Sequence, residues 1–68
     1  MKEYQQRVVA ESVDLGEKIK RLADFIDSSS DGYRQIPLME KERLHLQRYL
    51  MSKYNDVLRD RIEYFNEI

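Results

Sequence analysis

Residues that interrupt helices gather in one place. The 68-residue chain has two glycines and one proline, and Gly32 and Pro37 both fall in DSSSDGYRQIP, residues 27–37. In a helix interior Gly costs about 1 kcal/mol and Pro about 3 kcal/mol relative to Ala. Ser and Asp favour turns because their side chains compete for nearby backbone groups. One such segment between two long helix-forming stretches predicts two helices and one connection. The helices are expected over about residues 2–27 and 38–66. The loop over 28–37 leaves room for a short extra helical turn. The fold class expected is all-α: one domain, an antiparallel two-helix hairpin assembling into a helical homo-oligomer.

Periodicity supports both helices. Val8, Leu15, Ile19, Leu22 and Ile26 recur at steps of seven, four, three and four, with Ser12 filling the gap. That is one apolar stripe, widened by Val9, Ala23 and Phe25. Gly16 lies off it, either as a tolerated surface glycine or where another chain approaches closely. In the second segment Leu44, Met51, Leu58 and Phe65 are seven apart, and Leu50, Val57 and Tyr64 form a second row one residue earlier. Pro37 suits a helix start, where its missing N–H matters least. Glu40 and Glu42 favour the positive end of the helix dipole. Folding the hairpin sets Val8 near Leu58, Ser12 near Tyr54, Leu15 near Met51, Ile19 near Gln47 and Leu22 near Leu44. Two helices share a single seam, so the row Leu50, Val57 and Tyr64 would stay wet in a monomer. Apolar area is worth about 25 cal/mol per Å2 when buried, so this row is expected to be an oligomer interface.

Composition narrows the function. The chain has no cysteine and one histidine, His45, which excludes disulfides, thiolate metal sites and a histidine-rich metal centre. No metal or cofactor is expected. Net charge is −1, and residues 40–68 carry six basic and six acidic side chains. Binding to duplex nucleic acid needs a positive face and is not expected. Apolar runs never exceed three residues, so neither a membrane span nor a signal peptide is expected. The protein should be soluble and cytosolic. Glu11, Glu17, Asp56, Asp60 and Glu63 form no readable acid–base pair, and no phosphate-cradling glycine loop is present. No catalysis is expected.

Four aromatic rings lie among basic residues in RYLMSKYNDVLRDRIEYF, residues 48–65. Tyr64 and Phe65 belong to the apolar rows, Tyr49 faces outward near Arg48 and Lys53, and Tyr54 sits at the seam. Gln47, Tyr54 and Arg61 are seven apart on the flank of the stripe. On the first helix Glu11 and Lys18 share that spacing, and Arg7 can pair with Glu11 one turn later. Arg61 would lie near Tyr4 and Arg7. Two readings stay open: a polar network that fixes hairpin register, or an anion pocket with arginines as forked donors and a tyrosine as stacking plate. In the second reading the ligand-binding residues are Tyr4, Arg7, Lys18, Tyr54 and Arg61.

The pattern Tyr4, Arg7, Val8, Glu11, Leu15, Lys18, Ile19, Leu22, Phe25 and Ile26, then Leu44, Gln47, Met51, Tyr54, Leu58, Arg61 and Ile62, spans nearly the whole chain. It resembles a family of very small tailed-phage proteins related to a crAss-phage reading frame. These in turn look like phage anti-CBASS sponges. The resemblance implies a non-enzymatic helical oligomer in the host cytoplasm that sequesters a cyclic di- or trinucleotide of host immunity. The alternative is a phage interaction module that docks and inhibits a host protein through an apolar helix face.

Overall fold

The computed structural model describes residues 1–28 and 30–65. Helix α1 spans Glu3–Asp27, a single turn α2 spans Asp31–Arg34, and α3 spans Leu38–Phe65. The last residue of the second predicted helix, 66, lies outside the described residues. The α1 and α3 helices pack against each other along their length, and α2 makes the connection. This is the all-helical hairpin expected, with the short turn in its loop.

Local chemistry explains the breaks. At the start of α1 the Lys2 backbone N–H donates to the Gln5 side-chain carbonyl at 2.9 Å, satisfying a donor that the helix cannot. The Ser28 hydroxyl donates to the Phe25 carbonyl at 2.9 Å where α1 ends. Ser30 then caps α2, its hydroxyl accepting the Tyr33 N–H at 3.3 Å. Pro37 precedes the first residue of α3, and its carbonyl accepts the Lys41 N–H at 3.0 Å. Above the turn, Phe25 and Tyr33 meet edge to face with centroids 5.6 Å apart, and Lys41 lies 5.0 Å from the Tyr33 ring centre. The Tyr33 hydroxyl is 3.3 Å from His45 Nε2.

The seam is thin. Val8, Leu15 and Leu58 form its buried cluster, with Ile19, Met51, Ile62 and Phe65 packed around them. Leu58 is the most enclosed, at 1% exposure. The radius of gyration is 15.3 Å, against roughly 11 Å for a compact globule of this length. The hairpin is a rod of 49 × 15 × 15 Å.

The register differs from the sequence reading in one respect. Ser12 meets Asn55, not Tyr54: both are buried, and the Ser12 hydroxyl donates to Asn55 Oδ1 at 2.7 Å. Tyr54, one residue back, stands 47% exposed beside the seam. The heptad Met51–Leu58–Phe65 needs a second inward row, either three or four residues further on. The four-residue choice buries Asn55 and partly buries Ile62; the three-residue choice would bury the charged Arg61.

Losing one partner of a buried hydrogen bond strands the other, at a cost of about 1–3 kcal/mol. Ser12→Ala should therefore destabilise the hairpin by that amount in urea denaturation. The double variant Ser12→Ala/Asn55→Leu, which removes both polar groups, should regain most of it.

Candidate functional site

An open concavity lies at the end of the hairpin where α1 begins and α3 finishes. Tyr4, Asp60, Arg61, Tyr64 and Phe65 line an open groove of about 400 Å3. Antiparallel packing brings the two ends together: Tyr4 and Phe65 meet edge to face, their centroids 5.8 Å apart at 88°. Arg61 and Tyr64, three residues apart on α3, extend the groove along that helix. Among the described residues Arg61 forms no salt bridge. The groove thus offers one guanidinium, Arg61, and one carboxylate, Asp60, among three aromatic rings.

Beside it, the Tyr54 hydroxyl donates to the Glu11 carboxylate, linking the helices across the seam. That hydrogen bond is the main cause that raises the Tyr54 pKa above 10.0, with desolvation and the carboxylate's charge adding to it. The nearby Arg61 cation pulls the other way.

Of the five residues proposed from sequence, Tyr4 and Arg61 share the groove, and Tyr54 lies close enough to feel the Arg61 charge. Arg7 and Lys18 do not line it. Arg7 pairs with Glu3 at 3.0 Å, not with Glu11, whose carboxylate is taken by Tyr54. Lys18 pairs with Asp14 at 3.2 Å. Both are exposed pairs one turn apart on α1, each worth a few tenths of a kcal/mol. Tyr49 stands out near Lys53, whose ammonium lies 5.6 Å from the ring centre. The row expected to form an interface is exposed: Leu50 at 55%, Val57 at 56% and Tyr64 at 60%. Met39 and Leu46 extend it at the same helical spacing and are also exposed. Tyr64 belongs to both the row and the groove, so the two adjoin.

Among the described residues no group of three His, Cys, Asp or Glu side chains could hold a metal ion. No helix there is long and apolar enough to cross a membrane.

The structure thus sets an arginine among rings in an open groove at one end of a small helical hairpin. The chain matches the Sequestin family model over residues 2–64 and belongs to that family. Sequestin is a phage protein family that sequesters immune signals, a binding rather than a catalytic family. Of the resemblance read from Tyr4 to Ile62, the match supports a phage family that sequesters immune signals. No curated protein and no solved structure matches the chain.

The Tyr54–Glu11 contact has a titration signature. The pKa of Tyr54 is raised on folding, so the contact stabilises the hairpin fully below the unfolded value near pH 10. That contribution is lost as pH rises through the higher folded value. Followed by ultraviolet absorbance, Tyr54 should ionise above the ordinary tyrosine value. Glu11→Ala, which removes the acceptor, should bring it back toward that value.

Proposed function

We propose that the protein silences host antiviral signalling by holding a cyclic di- or trinucleotide in the Tyr4–Arg61 groove, without chemical change to the ligand. One observation carries this reading: the Arg61 guanidinium lies among the Tyr4, Tyr64 and Phe65 rings with no carboxylate paired to it among the described residues. A guanidinium pairs with phosphate oxygens in a two-pronged fork. Aromatic faces stack on bases of any sequence. Family membership supports sequestration as the mode of action. The mechanism is mass action in the host cytoplasm: the signal is bound as fast as it is made and leaves intact.

The working form is a homo-oligomer. The exposed row of Met39, Leu46, Leu50, Val57 and Tyr64 supports this, because an apolar stripe of that length is costly in water. A second copy laid on the row would wall the groove, since Tyr64 belongs to both. The row equally favours docking to a host protein, the second reading.

Calorimetry with a panel of cyclic di- and trinucleotides separates the two. Wild type should bind at least one, and heating should release it unchanged. Arg61→Ala should weaken that binding by roughly ten- to a hundredfold, the worth of a charge-assisted contact of about 1.5–3 kcal/mol. A wild type that binds none of the panel sinks the sequestering reading and leaves docking.

Light scattering tests the assembly. The mass should be well above the 8.3 kDa of one chain. Val57→Asp should dissociate the oligomer, because an unpaired buried charge costs several kcal/mol. A wild-type mass for that variant would place Val57 on a free surface.

A further inference from the structure

A second concavity lies on the other flank of the seam. Gly16, Ile19, Ser52, Asn55, Asp56 and Arg59 line an open cleft of about 250 Å3. At about 3.6 residues per turn, Ser52, Asn55, Asp56 and Arg59 share one side of α3, while Tyr54 and Arg61 fall on the other side of Leu58.

At its centre is a buried amide. Asn55 is 4% exposed, and its Oδ1 is held by the Ser12 hydroxyl at 2.7 Å. That bond turns Nδ2 the opposite way, toward Gly16, where an added Cβ would stand 3.8 Å from it. Nδ2 donates to no protein acceptor among the described residues, yet no buried side-chain polar atom there is left unsatisfied. The amide nitrogen therefore opens into the cleft. An alanine at position 16 would make only ordinary contact and would favour the helix. Packing does not require the glycine, but its missing side chain lets a flat group reach the backbone and the amide.

The polar groups are mixed in kind. Asn55 Nδ2 and the Arg59 guanidinium donate, the Asp56 carboxylate accepts, and the Ser52 hydroxyl does either. Arg59 and Asp56 are in no salt bridge among the described residues. A set that both donates and accepts suits a group that does the same. The edge of a nucleobase presents an acceptor beside a donor and has a flat ring. Such a ring can lie over Gly16 and Ile19 with its edge toward Asn55 and Asp56.

We propose that the Gly16–Asn55 cleft is a second binding subsite, for a nucleobase edge, distinct from the Tyr4–Arg61 groove. This rests on the reading that the sequestered signal is a nucleotide. The test uses the full chain, labelled with 15N, and the four ribonucleosides, which carry bases without phosphate. The Gly16 and Asn55 backbone signals and the Asn55 side-chain amide should shift with at least one nucleoside and not with inorganic phosphate. Gly16→Leu, which fills the cleft, should abolish the shifts. Arg59→Ala should weaken the nucleoside-induced shifts of the cleft signals at least several-fold.

Cleft signals that stay still with every nucleoside overturn the proposal on the wild type alone. So do cleft signals that move with protein dilution and not with nucleoside, which would mark an interface between copies. Cyclic-nucleotide binding that depends on Arg61 and leaves the cleft still would overturn the subsite and keep the sequestering function. If no nucleotide binds at either place, both fall.

Discussion

A single helix–helix seam carries the structure. Each helix can bury one stripe, and with no third long helix the buried apolar set among the described residues reduces to Val8, Leu15, Ile26 and Leu58. Chains this short bury only about 60% of their unfolded surface even when compact, and a rod does worse. A net stability of a few kcal/mol is the expectation for such a chain. The Ser12–Asn55 hydrogen bond matters out of proportion to its strength in this setting. Leucines in a seam can slide by a turn at modest cost, whereas a buried amide has one position at which its partner waits.

Most of the fold was legible because the chain punctuates itself so sparsely. Gly32, Pro37 and the serines around them could only mark a turn, and the seven-residue spacing of Leu44, Met51 and Leu58 left α3 little choice of face. The spacing does not say which way that face is turned by one residue. Tyr54 and Asn55 compete for the inward position, and on their own the tyrosine is the more apolar candidate. Ile62, four residues beyond Leu58, carried the deciding signal, because pairing it inward takes Asn55 inward as well and sends Tyr54 and Arg61 out.

The candidate site was legible in part for the same reason. Antiparallel register alone brings Arg61 toward Tyr4. It does not reveal that Glu11 prefers the Tyr54 hydroxyl to Arg7, since that choice depends on where a side chain from the other helix ends. Nor could the Gly16 cleft be read from spacing. Its central donor exists because Ser12 holds the other end of the Asn55 amide, a tertiary fact with no trace in either helix's own pattern. The outward turn of Arg61 is what leaves a cation available at the surface. Nearly every acidic and basic residue of α1 and α3 is solvated.

The two long helices are joined by the chain only at the α2 end. At the other end Tyr4 and Phe65 touch across a gap that no covalent link spans. Opening of a hairpin is easiest there, because helix termini have the fewest neighbours and their last turns lack half their hydrogen bonds. The groove sits astride that gap. A molecule gripped between Tyr4 and the Arg61–Phe65 turn would act as a clasp on the open end of a pair of tongs. Its grip would be felt as slower parting of the helices along the whole 49 Å rod, and the ordering it imposes on the ends would be subtracted from its own affinity.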